Sequence, residues 1–521
     1  MRPVRPLLLA LAALAAVLLP VASASALPFP VTSTADTDAK GTLRGSIQEA
    51  NVRPGADSIP IEVTGTIELT TALPAIEGDV AILGPGAGSL RIERLASAPF
   101  RIFDFGPGVT AFLSGVTVAG GADPQGGGIR NGSGSLTLTQ VVVEGNQARA
   151  EGAPEVEVEG GGILSEGPLT VRESVIRDNS AIALDGGMLT SALGGGVMAF
   201  GPVTIDRSTI SGNAAEAHGG GSKHSRARGG GLRVLGNPAI VDRSTVSGNS
   251  VVADLSLTNE ARGGGLQGIG LNLTSSTVTG NSLFSIGTAA GANLDFENPT
   301  LVRNSIVAGA IGDAESCSAP EGSGGFNLDE DGSCGFGLAT DLTGVAAGLD
   351  PVLRDNGGPT PTHALLGGSI AIDRGRSFLN PIDQRGFFRP VDFPAISNSE
   401  GGDGSDIGAF EVQFPPPNSI LVRTAPGDRQ PPNTRIVSGP ARATFERLAK
   451  FRFASTEAQS SFQCKVDKRR WRGCASPFRR KVSAGFGAGR KHVFRVRAID
   501  RFGNVDPTPA RFGWRVKKIV G

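Results

Sequence analysis

Five glycine triplets, Gly126–Gly128, Gly160–Gly162, Gly194–Gly196, Gly229–Gly231 and Gly263–Gly265, recur every 34 or 35 residues. An asparagine stands 18–20 residues after the first glycine of each: Asn146, Asn179, Asn213, Asn249 and Asn281. One pattern at a fixed period of this size means a supersecondary unit stacked on copies of itself. Aligned on the asparagine, the copies show four apolar columns. Ile129, Ile163, Val197, Leu232 and Leu266 follow the glycines. Leu136, Leu169, Val203, Ala239 and Leu271 form the second column, and Leu138, Val171, Ile205, Val241 and Leu273 the third. Val143, Ile176, Ile210, Val246 and Val278 form the fourth. The second and third columns lie two residues apart, the strand period, and no copy carries a helical stripe. Short strands stacked about 4.8 Å apart bury a continuous column that one strand alone cannot.

The expectation is an all-β parallel β-helix with glycine at its φ > 0 corners. For the asparagines two readings stand: a ladder of side-chain amides linking the coils, or turn formers that tolerate the left-handed region. Leu113 and Val118 fit one coil before the triplets, and Val302 and Val307 fit one after them. The segments from each asparagine to the next triplet, such as Ala214–Arg228 and Ser250–Arg262, vary in composition. They read as irregular loops on one side, where binding specificity is expected.

Residues 1–26 read as a secretory signal: Arg2 and Arg5 precede the apolar run Leu7–Val21, and Ala24-Ser25-Ala26 makes a small-residue cleavage site. No second long apolar segment follows, so no transmembrane segment is expected after signal removal. The four cysteines fit an oxidising compartment as two local disulfides, Cys317–Cys334 and Cys464–Cys474. Zinc is the rival reading, without a C-x-x-C to support it. A Pro-rich stretch over 414–431 separates an acidic body from a basic end. From Asp428 onward 23 Lys and Arg face 6 Asp and Glu, a balance of +17; the rest of the chain has 26 against 43, or −17. A basic module of this kind implies docking to an anionic envelope polymer, polysaccharide or lipid, or else a solubilising surface with no partner. Nucleic acid is not expected, since no reading motif is present.

Three stretches carry family resemblances. Val31-Thr32-Ser33-Thr34-Ala35-Asp36 and Leu43-Arg44-Gly45-Ser46-Ile47-Gln48-Glu49-Ala50-Asn51 resemble the so-called CSLREA domain of bacterial surface proteins. Gly41-Thr42 stand where Cys-Ser are typical, and Gly45-Ser46 replace Glu-Ala. Thr42 is placed to N-cap a short helix that covers the open end of the stack. Asp350-Pro351, Asp355-Asn356-Gly357-Gly358-Pro359-Thr360-Pro361-Thr362-His363-Ala364-Leu365-Leu366, Ser369-Ile370-Ala371-Ile372-Asp373, Asp383-Gln384-Arg385-Gly386 and Asp406-Ile407-Gly408-Ala409-Phe410-Glu411 closely resemble the choice-of-anchor Q domain. The repeats are similar to right-handed, pectin-lyase-like β-helices. Phe451-Arg452-Phe453, Phe462-Gln463-Cys464-Lys465-Val466-Asp467, and the run His492–Asp500 resemble a bacterial immunoglobulin-like module, and their alternation independently supports a β-sandwich.

The resulting order is signal 1–26, cap 27–60, β-helix 61–345, choice-of-anchor Q-like part 346–413, linker 414–431 and basic immunoglobulin-like module 432–521. The resemblance implies an exported, envelope-associated protein of a family mostly without an assigned activity.

The expected function is a secreted, non-catalytic surface protein whose β-helix displays loops for adhesion or polymer binding. The alternative is a polysaccharide lyase or glycoside hydrolase, which needs carboxylates converging in a groove. Asp206 and Asp242 align one coil apart, with Glu173, Thr139 and Thr274 assigned to the same column. Arg172, Arg207 and Arg243 alternate nearby, so the column reads as an outward salt-bridged face. Trp471 and Trp514 both lie in the terminal module and the chain has no Tyr, leaving the helix without the rings usual in sugar-cleaving grooves. His218-Gly219-Gly220-Gly221 mimics a hydrolase oxyanion loop, without a G-x-S-x-G elbow. Lys223, His224, Arg226 and Arg228 form one basic loop, read either as solvated charge or as an anion-binding site. Asp329-Glu330-Asp331-Gly332 reads as an acidic turn tied by the first disulfide, with calcium as the rival. His363 reads as structural. No catalytic residue, metal or cofactor is assigned.

Overall fold

The computed structural model describes residues 28–221, 223–413, 431–456, 460–469, 471–474, 476–485, 489–499 and 505–518. The signal expected over 1–26 and residues 414–430 of the linker lie outside them.

The body is a parallel β-helix. Each coil gives it three short strands, in the first copy Ile129–Asn131, Leu136–Thr139 and Val142–Glu144. Successive coils pair in parallel, and the register reproduces the apolar columns residue for residue. Ile129 pairs with Ile163, Leu138 with Val171, and Val143 with Ile176. The flanking coils join as expected, Leu113 on Leu138, Val118 on Val143, Leu273 on Val302 and Val278 on Val307. These side chains point inward into one elongated core.

Each glycine of a triplet has a separate steric reason. The first adopts positive φ, +76° at Gly126 and +67° at Gly194. A Cβ on the second would sit 2.3–2.5 Å from backbone of the neighbouring coil, as at Gly161 and Gly195. A Cβ on the third would meet the side chain of its own coil's asparagine, 2.7 Å away at Gly128 and 2.9 Å at Gly196. Triplet and asparagine are therefore two sides of one neck where each coil closes, which explains their fixed offset. The asparagines do form a ladder. Asn146, Asn179, Asn213 and Asn249 each donate from Nδ2 to the Oδ1 of the next, at 2.9 Å. A parallel serine column runs Ser174, Ser208, Ser244, Ser276 and Ser305, each hydroxyl after the first accepting the backbone N–H of the serine before it at 3.1–3.2 Å.

The segments expected to be irregular loops are not loops. Ala214–His218 and His224–Arg228 are strands, and every repeat does the same. Six outgoing and five returning strands form two parallel sheets, a fin standing out from the neck. Between them lies a second core built mostly of alanine, including Ala181, Ala183, Ala215, Ala217, Ala227 and Ala261. Alternation of these small residues with polar ones satisfies strand periodicity while letting the two sheets pack closely.

At the start of the stack, helix α1 (Leu43–Asn51) buries Leu43, Ile47 and Ala50 over the first coil. Thr42 is its N-cap, its Oγ1 accepting from Gly45 N at 3.1 Å. A Cβ at Gly45 would lie 2.2 Å from the Ala39 carbonyl, which accounts for glycine where the resembled motif has a larger residue. At the other end, residues 350–413 double back over the outer side of the third strand row. Thr209, Thr245 and Thr277, one register column, bond to Pro361 O, Gln384 and Ala409 N respectively.

The region 431–518 is a sandwich of a three-stranded and a five-stranded sheet, antiparallel except for the short strand Ala443–Thr444. Phe451, Phe453, Phe494 and Trp514 fill its core. Both expected disulfides, Cys317–Cys334 and Cys464–Cys474, are present. No helix among the described residues is long and apolar enough to cross a membrane.

Candidate functional site

Where the returning strands of the fin meet the first strand row of the body, the two outer faces meet in a seam along the stack, with Leu193 on Leu164 and Met198 and Arg262 reaching Asp295. One outward register column of this row runs Asp104, Arg130, Leu164, Met198, Arg233, Gln267 and Asp295. On the fin side Leu193, Arg228 and Arg262 form one column, and Ser191, Arg226 and Glu260 another. Leu164, Leu193 and Met198 pack together as an apolar stretch. The next two coils turn basic.

The expected basic residues divide. Arg226 and Arg228 face the seam and share Glu260, at 3.5 and 2.5 Å. Lys223 and His224 lie at the fin's outer turn, exposed, with His224 Nδ1 bonded to Thr258 Oγ1 at 2.6 Å. Two further cations join Arg226 and Arg228. Arg262 reaches Glu260 at 3.1 Å and Asp295 at 3.5 Å. Arg233 is buried, and its Nε and Nη1 have no hydrogen-bond partner. Burial, then Arg228 and Arg226, push its pKa down to about 10, so it stays charged at neutral pH. Gln267 Oε1 and Ser191 Oγ are also buried and unpartnered. An unpaired polar group in the interior costs about 1–3 kcal/mol. Arg233 was legible only as an outward position, because the repeat alignment follows the inward residues on either side.

Other expected sites prove structural. In the Asp206 and Asp242 column the structure places Arg172, not Glu173; Glu173 is the next residue, at φ +48°. The face is salt-bridged, with Arg243 2.7 Å from Asp206 and 3.0 Å from Asp242. His218 Nδ1 pairs with Asp254, its register partner on the next strand of the same fin sheet, at 2.7 Å. The acidic turn satisfies backbone: Asp329 Oδ2 accepts from Cys334 N at 2.8 Å, and Asp331 Oδ2 from Ser316 N at 2.8 Å. His363 is buried between Ser247 Oγ and the Asp350 carbonyl, both at 2.7 Å.

Uncharged groups clamp 350–413 to the body, Gln384 on Thr245 and Asn380 on Asp242 among them, while the charged residues of the segment pair within it. Arg385 pairs with Asp383 at 2.6 Å and Arg389 with Glu411 at 2.8 Å, all buried. Asp373 holds the Phe393 N–H at 3.0 Å, while its other oxygen is unpartnered. Burial raises the Asp373 carboxyl to about 7, with Asp392 and Glu411 adding repulsion. The folded state therefore binds a proton that the unfolded chain releases near 3.8. That stabilisation is complete below about pH 4 and is lost as pH rises towards 7. We expect clamp stability to fall by about 1.4 kcal/mol per pH unit through this window from this group. Hydrogen exchange at the Phe393 amide should accelerate correspondingly beyond the intrinsic rate, and Asp373→Asn should remove the slope.

In the terminal sandwich the outward residues of adjacent strands set like charges opposite one another. Lys491 pairs with Arg515, Arg495 with Arg511, and Lys465 with Arg495. Trp471 lies between Lys465 and Arg497, each 4.6 Å from its ring. An open cavity of about 400 Å³ is lined by Arg442, Lys491, Arg511, Gly513, Trp514 and Arg515. Comparison with protein-family models and with curated proteins finds no match for the chain.

Proposed function

We propose that this is a secreted, envelope-associated surface protein that binds anionic polymer without cleaving it. The basic sandwich keeps it on the envelope, and the β-helix with its fin presents a rigid ligand-binding body. The observation that carries this reading is the cationic face of the sandwich. Like charges directly opposite on a sheet are destabilising, and a face built of them is suited to an anionic partner that neutralises the repulsion. The signal-like leader and the two disulfides support export, and the motif resemblances support membership among choice-of-anchor Q and CSLREA-type surface proteins.

One observation favours a hydrolytic reading instead. Burial raises Glu321 to about 7, with Thr300 opposing the shift and Asp295 adding to it, so a protonated acid stands near a second carboxylate. A panel of purified neutral and anionic envelope polymers, followed by product analysis, separates the two readings. We expect binding of anionic members and no new reducing ends or unsaturated products. Such products would overturn the non-catalytic reading; failure to bind any anionic member would overturn polymer binding.

A further inference from the structure

We infer that the seam holds a seat for one monoanionic oxyanion group carried on a polymer chain, with Arg233 as its central cation. This rests on the reading of the β-helix as a ligand-binding body and is independent of retention by the sandwich.

Arg226, Arg228 and Arg262 already have Glu260, and Arg262 also has Asp295. Arg233 has no carboxylate within ion-pair distance among the described residues, and two of its nitrogens are buried without an acceptor. Four arginines thus face two carboxylates, and Arg233 is the one of them without a direct partner; its planar guanidinium geometry suits an oxyanion. Glu159, on the fin strand two coils earlier, does not neutralise it by a direct contact: burial and Glu157 push its carboxyl up, and Arg233 pulls the other way only through space.

The column that contains Arg233 is otherwise apolar just upstream, at Leu164 and Met198. Folding therefore has an apolar solution at this position, and the chain instead places there a buried cation that it leaves unsatisfied. Groups that break a local rule in this way concentrate at functional sites. One coil on, about 4.8 Å along the stack, Gln267 Oε1 is a buried, unpartnered acceptor that suits a hydroxyl of the same chain. A carboxylate of an acidic polysaccharide and a phosphodiester of a teichoic-type polymer share the required chemistry.

The test is calorimetric titration of the mature full chain with an oligoglucuronate, with a glycerol-phosphodiester oligomer, and with a neutral oligosaccharide of equal length. Arg233→Gln should weaken the anionic oligomer that binds by at least about tenfold, the loss of one charge-assisted hydrogen-bonded pair. Lys491→Gln/Arg515→Gln, in the sandwich's own polymer-binding face, should weaken retention on bulk polymer and leave the tenfold difference made by Arg233→Gln in place. Whichever anionic oligomer binds identifies the source of the group. Thermal unfolding gives a second measurement: Arg233→Met should raise Tm by about 2 °C or more, because it extends the Leu164 and Met198 stretch and removes an unpaired buried charge. Unchanged binding in Arg233→Gln overturns the seat, as does absence of binding by both anionic oligomers or a lower Tm in Arg233→Met. If only the sandwich variant loses oligomer binding, the seat fails and retention by the sandwich stands.

Discussion

Asn213→Ala is expected to cost the β-helix about 3–6 kcal/mol, the summed penalty of several buried groups left unpaired. Asn213 is fully buried in the middle of the ladder. Its Oδ1 accepts from the backbone N–H of Asn179 at 3.1 Å and from Asn179 Nδ2 at 2.9 Å. Its Nδ2 donates to Ile176 O at 3.0 Å and to Asn249 Oδ1 at 2.9 Å. Alanine removes all four bonds and also opens a gap against Gly196, which packs on the amide. Asn213→Asp keeps the shape but turns the donor into a second acceptor facing Asn249 Oδ1, so it should destabilise comparably. Asn146→Ala also removes four bonds, to Gly121 N, Val118 O, Glu144 O and Asn179 Oδ1, and should cost a comparable amount. Denaturant unfolding of the three variants checks this; a loss under about 1 kcal/mol in Asn213→Ala would reduce the asparagines to turn formers.

The inward half of this fold was readable because its rules are local. Strand period, β-branched residues and glycine corners all point to the same register, and the register observed is the one the columns give. What escaped follows rules that a strand pattern alone does not state. The fin strands alternate alanine with charge, as in Ala215-Glu216-Ala217-His218, and alanine is a poor strand former whose burial only a facing sheet reveals. The serine ladder was visible as a column five residues before the asparagine, yet serine is also an ordinary turn residue. The clamp joins Thr245 to Gln384 across 139 residues, a separation over which no local pattern speaks. Of the four basic residues singled out, the fin brings Arg226 and Arg228 to the seam with Arg233 and Arg262. It leaves Lys223 and His224 at the outer turn. His224, Arg226 and Arg228 share the outward face of one strand, so the division follows from distance along it: Arg228 adjoins the neck at Gly229, and His224 lies at the far end.

Removal of residues 414–521 is expected to have the largest functional effect. It takes away the +17 module and leaves an acidic body. Between exposed surface charges, attraction is screened by salt within about 10 Å at an ionic strength of about 0.1 M. If the sandwich retains the protein, retention is expected to be strong at low salt and weak at high salt. The like-charged pairs Lys491–Arg515 and Arg495–Arg511 make the same point from the energetic side, since their repulsion is relieved only by counter-ions or a polyanion. The seam, where Arg233 lacks a direct partner, is expected to contribute oligomer binding and little bulk retention. The most direct test is the binding of the mature full chain and of the truncated chain to an immobilised anionic envelope polymer at about 50 mM and about 500 mM salt. The full chain should bind at low salt and be released at high salt, with the truncated chain at least about tenfold weaker at low salt. Equal binding of the two chains at both salt concentrations would contradict retention by the basic module.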